Sequence, residues 1–160
     1  MSRRVIASCF AALALAACAD LENPPVTRSV VFVDEETESL ARRACMPCHS
    51  HETDWQWYAQ VPGVQMALAA DVAAAREHLN FSTWDQPQEN LDDVAEKVRS
   101  REMPPPIFFT THPEANLSDE ERERLIAGLL ASFAADPPPN DGDTDGDKDD
   151  DDDDDDDGND

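Results

Sequence analysis

Apolar residues recur along this chain with a spacing near 3.6, and no stretch sustains the alternation of a half-buried strand. The first helical pattern runs from Asp34 to Ala44, with an acidic first turn suited to the positive end of a helix dipole. Pro62 to Leu79 sets Val64, Leu68, Val72, Ala75 and Leu79 on one face, with Pro62 near the first helical position. Leu91, Val94, Ala95 and Val98 follow a candidate cap at Asn90. Ser118 and Glu121 form a capping box ahead of the stripe Leu125, Ile126, Leu129, Leu130 and Phe133, and Pro137–Pro139 end that helix. Val30–Val33 is a short apolar run. A lone strand has nothing to pair with, so an extended segment packed on helices is expected. The predicted fold class is all-α, and there is no internal repeat.

Composition divides the chain. Fourteen aspartates and one lysine lie beyond residue 140, so of the net charge of −24 the tail carries −13 and the preceding 140 residues −11. The tail has no apolar residue to bury and reads as disordered. Asp141 to Asp152 overlays a calcium-loop template, but no helix precedes it and the run fits many registers; weak calcium binding is the sharper reading, a solvated tail the plainer one. An acidic body disfavours nucleic acid, whose phosphates need basic side chains. It favours basic partner surfaces.

The N-terminus reads as an address. Arg3 and Arg4 precede an apolar run, Val5–Ala17, too short to span a bilayer. Leu15-Ala16-Ala17-Cys18 resembles a bacterial lipobox, with Cys18 as the lipidated first residue of the mature chain; an ordinary secretory cleavage near Ala17 or Ala19 is the simpler alternative. The expected layout is a signal peptide (1–17), a tether (18–29), a domain over 30–135 and a disordered tail (136–160). The expected location is the periplasmic side of a bacterial membrane, with a lean towards the outer one from Ala19.

Cys45-Met46-Pro47-Cys48-His49 is C-x-x-C-H. Two thiols at this spacing reach the two vinyl groups of one haem, and the histidine lies beneath the iron. Pro47 also suits a thioredoxin-like redox pair, but that fold needs a sheet absent from the pattern. Zinc wants a second ligand pair, which His51, His78 and His112 do not supply at standard spacing. A disulfide this short-range would stabilise little. A haem would give a thin core of about 100 residues a large apolar plate to pack around. Met103, heading Met103-Pro104-Pro105-Pro106, is the candidate second iron ligand, its loop stiffened by proline. A core-filling Met103, His78 or His112 as the ligand, and an open site stay as alternatives.

Residues 45–58 read Cys-Met-Pro-Cys-His-Ser-His-Glu-Thr-Asp-Trp-Gln-Trp-Tyr; Asp71-Val72, Arg76, Leu79-Asn80, Ser82, Trp84 and Met103-Pro104-Pro105 follow. This series resembles the bacterial haem-binding domain family of small cytochrome c-like modules, over most of the expected domain. His51, Gln56 and Ala75 depart from the family's Asn, Pro and Gly. The resemblance implies a small cytochrome c-like helical domain around covalent haem c, with iron held by His49 and Met103. Trp57, Tyr58, Arg76, Asn80 and Trp84 are candidate haem contacts, and Trp55 joins the aromatics near the motif that could line the haem, with an indole or phenol group, or the Arg76 guanidinium, on a haem carboxylate. The expected function is one-electron transfer with redox partner proteins, without enzymatic activity. A haem-based sensor, a small-ligand binder or a minor peroxidase with an open sixth site is the alternative.

Overall fold

The Asp34 carboxylate accepts the Thr37 amide at 2.7 Å, and with that cap the first helix of the described residues begins, α1, Glu35–Ala44. The computed structural model describes residues 21–89 and 91–140. The signal segment, Cys18, the Asn90 cap and the poly-Asp calcium template lie outside the described residues. Beyond α1 come α2 (Met46–His49), α3 (Val64–His78), α4 (Val94–Arg99) and α5 (Asp119–Ala135), joined by 3₁₀ turns at Trp57–Gln60, Leu91–Asp93, Pro106–Thr110 and Pro113–Ala115. No β-strand is present among the described residues, so the all-α class holds.

The capping box of α5 closes as its sequence requires. The Glu121 amide donates to Ser118 Oγ at 3.2 Å, and the Ser118 amide to Glu121 Oε2 at 2.8 Å. The same carboxylate takes Arg43 Nη2 at 2.6 Å, fastening the start of α5 to α1. The two helices approach closely where Gly128 faces the buried Thr37. A Cβ at Gly128 would stand 2.6 Å from Thr37 Cγ2 and 2.8 Å from its Cβ. Leu125, Ile126, Leu129 and Phe133 face the core beside Leu40 and Ala41, whereas Leu130, expected in that stripe, is 44% exposed. Arg122 is buried at the base of α5. Its guanidinium donates to Val98 O and Leu117 O, both at 3.1 Å, which binds the end of α4 to α5.

Two boundaries and one backbone pairing differ from expectation. Pro62 is not the start of α3: Gly63, at φ +90°, caps a helix that opens at Val64, because a turn at 61–63 redirects the chain first. Val64 is consequently exposed, while Val72 and Leu79 are buried. Leu91–Asp93 is a 3₁₀ turn, so α4 contains only the last half of the anticipated helix. The 30–33 run is extended, as expected, yet it has a backbone partner. Val30 N donates to Phe81 O at 3.1 Å, Trp84 N to Arg28 O at 2.9 Å, and Arg28 forms an isolated parallel bridge with Thr83. That pairing fixes the chain leaving α3 against the segment entering α1. Phe81, Trp84 and Phe133 stack behind it, with Trp84 and Phe133 ring centres 5.1 Å apart.

Candidate functional site

Cys45 ends α1 and starts α2, with φ −116° and ψ −52°. The amides of Cys48 and His49 both donate to Cys45 O, at 3.1 and 3.0 Å, which closes one helical turn. Pro47 sits in the first turn of α2, where its missing N–H has no helical acceptor to lose. Three residues apart on one turn, the two thiols share a face. Burial pushes the Cys45 thiol up to about 12, with Cys48 adding to the rise. Burial also raises Cys48, Asp71 adds to that, and Arg76 opposes it. Both sulfurs are therefore protonated and weakly nucleophilic near neutral pH.

His49 is aimed by the backbone. Its Nδ1 lies 3.0 Å from Leu79 O, and a carbonyl only accepts, so Nδ1 carries the proton and Nε2 the lone pair. Burial lowers the affinity of the ring for a second proton, so it stays neutral, the form that ligates a metal. The Leu79 carbonyl is itself held in place, because the Phe81 amide two residues on donates to His49 O at 2.8 Å.

The chain after His49 is held by side chains. Thr53 Oγ1 donates to Pro47 O at 2.8 Å, and the buried Ser50 hydroxyl to Met46 O at 2.7 Å. Arg76 Nε donates to Ser50 O at 2.8 Å; its Nη2 reaches Thr53 Oγ1 at 3.0 Å and Asn23 Oδ1 at 2.8 Å. Asn80 is buried, with Nδ2 on His51 Nε2 at 2.9 Å and Oδ1 accepting the Ser82 amide at 3.0 Å. Arg76 and Asn80, expected as haem contacts, are thus placed on protein partners that set the shape of the attachment loop. Trp84 is fully buried and its Nε1 donates to Asp136 O at 2.7 Å. Trp57 is 79% exposed, edge-on to the half-buried Tyr58. Trp55, one of the aromatics expected to line the haem, has a buried Nε1 with no partner.

Met103 lies in the loop after α4, its amide donating to Lys97 O at 3.0 Å. Its side chain is 41% exposed, so it fills no core space; that place is taken by Met46. His78 is exposed, 3.9 Å from Glu89. His112 is half-buried, stacked on Phe108 with ring centres 4.0 Å apart. Cavities of about 280 and 240 Å³ flank Met46, and neither is lined by Cys45, Cys48 or His49. No helix among the described residues is long and apolar enough to cross a membrane.

A family model described as a haem-binding domain matches residues 10–131. The chain belongs to the haem-binding domain family. No curated protein and no solved structure matches it. The residues of this haem-binding domain fit the group. Two thiols share a turn, a neutral imidazole presents Nε2, and one buried donor is unspent. Val61, Val64, Met66, Met103 and Ile107 expose apolar surface on the segments that follow α2 and α4, of the kind a macrocycle covers.

Proposed function

We propose that this haem-binding domain is an electron carrier of the c type. Cys45 and Cys48 would hold the haem by thioether bonds, with His49 Nε2 on one face of the iron and the Met103 sulfur on the other. Bound haem supplies a reversible one-electron iron couple. The chain's residues keep both ligands in place. Leu79 O fixes the His49 ring, and Pro104–Pro106 stiffen the loop that carries Met103. The observation that carries this reading is the single turn uniting both thiols with an oriented imidazole. The exposed Met103 side chain supports the second ligand, since it does no packing in the core. Nothing in the reading calls for enzymatic activity. The lipobox at Cys18 supports tethering to a membrane on the periplasmic side, and the acidic body supports basic redox partners.

The test is spectroscopic. Reduced, haem-loaded protein should be six-coordinate and low-spin, with a sulfur-to-iron charge-transfer band in the oxidised form that Met103→Ala abolishes. Rapid, tight carbon monoxide binding to the reduced wild type would instead favour a sensor, small-ligand binder or peroxidase. A charge-transfer band unchanged in Met103→Ala would remove that residue from the iron.

A further inference from the structure

Among the described residues, four buried side-chain nitrogen or oxygen atoms have no hydrogen-bond partner: Arg43 Nε, Arg122 Nε, Asp136 Oδ2 and Trp55 Nε1. Three belong to groups that are bonded through another atom. Arg43 reaches Glu121, Arg122 reaches two carbonyls, and the other oxygen of Asp136 takes Arg28. Trp55 differs, because an indole has one donor and here it is unspent. Leaving a lone donor buried and unpaired costs free energy unless a ligand completes it.

The position of Trp55 is set from both sides. Two residues earlier, Thr53 is tied to Pro47 O and to Arg76; one residue later, Gln56 O accepts the Ala59 amide and opens the Trp57–Gln60 turn. The donor is therefore held within ten residues of both thiols, on a loop that is itself tied to α2. Three of the other candidate donors are committed or hydrated. The Trp84 N–H is on Asp136 O, Trp57 stands in solvent, and Arg76 binds the loop. A haem is apolar except at its iron and its two carboxylates, so a fixed neutral donor beside it meets a carboxylate oxygen.

We infer that the Trp55 indole N–H donates a hydrogen bond to a carboxylate of the bound haem, fixing how the macrocycle is seated against the attachment loop. The inference rests on the haem binding of the family and assigns a ligand-orienting role to a residue outside C-x-x-C-H. A donor favours the ionised carboxylate. Trp55→Phe keeps the ring and removes the N–H, so the redox-linked ionisation of that carboxylate should rise by about one pH unit, the size of one charge-assisted hydrogen bond.

The experiment uses the full chain matured with haem. Reduction potential is titrated against pH, and the carboxylate bending band is followed by resonance Raman, for wild type, Trp55→Phe and Trp57→Phe. The expected result is an upward-shifted ionisation and a displaced band in Trp55→Phe alone. Haem-loaded Trp55→Phe with the wild-type ionisation and band would overturn the inference while leaving haem binding intact. A wild-type chain that takes up no haem would overturn both. Should Trp55→Phe fail to accumulate, ¹⁵N-labelled wild type decides: the Trp55 indole resonance should be protected from exchange and move with the haem carboxylate ionisation, and free exchange with water would refute the bond.

Discussion

Replacing Arg76 by Met removes three hydrogen bonds at once, to Ser50 O, Thr53 Oγ1 and Asn23 Oδ1. The loop after His49 then loses its main clamp. The expected cost is about 1–3 kcal/mol, seen as a lower urea midpoint with the haem still attached. Lys should restore little, since one ammonium cannot reproduce a fork of fixed donors. An unchanged midpoint would mean that the clamp is redundant. Trp84→Phe should likewise destabilise by about 1–2 kcal/mol, through loss of the bond to Asp136 O, with little change in the haem spectrum. These two residues mark the limit of sequence reading at a single position. Cys45, Cys48 and His49 are legible because the chemistry is local, set by residue type and spacing. Whether an indole or guanidinium faces a ligand or the protein depends on partners such as Asp136, 52 residues from Trp84, which no spacing rule supplies.

The crossing of α1 and α5 is the most demanding joint between elements. Gly128→Ala places a methyl against Thr37, and the backbone on both sides is helical, so relief requires the helices to separate. About 1–3 kcal/mol of destabilisation is expected in a denaturant titration, and a neutral result would show that the crossing yields easily. The same two helices carry a pH-dependent link. Chiefly the Arg43 guanidinium, then the Ser118 backbone, hold the Glu121 carboxyl at about 2 against an ordinary 4.5. A depressed carboxyl stabilises the fold fully above its unfolded value, and that contribution is lost as pH falls from about 4.5 through about 2. Glu121→Gln keeps a capping side chain but not the charge. Its stability should therefore fall less steeply than the wild type between pH 5 and 3, and parallel curves would refute the link. The end at Ser118 was legible because its cap is local, whereas Asp34, read from the sequence as the first helical residue, proves to be the cap. The end at Pro62 was not legible, because Gly63 supplies a backbone conformation that the apolar stripe does not encode.

For the molecule as a whole, charge and cofactor belong together. With −11 on the first 140 residues, the reduced protein should react faster with a cationic oxidant than with an anionic one of equal driving force, and salt should narrow the gap. Equal rates at low salt would remove the case for basic partners. The all-α class followed from periodicity alone. The backbone pairing of residues 28–30 with 81–84 did not, because both partners are too short to declare themselves as strands. The central claim is that Cys45 and Cys48 hold haem covalently. It is tested most directly by maturing the full chain in a bacterial host with haem-attachment machinery, then denaturing it and extracting with acidified acetone. Haem should remain with the polypeptide and give a thioether-type pyridine haemochrome, and the double variant Cys45→Ala/Cys48→Ala should lose it. Haem that passes into the acetone from the wild type would contradict the account.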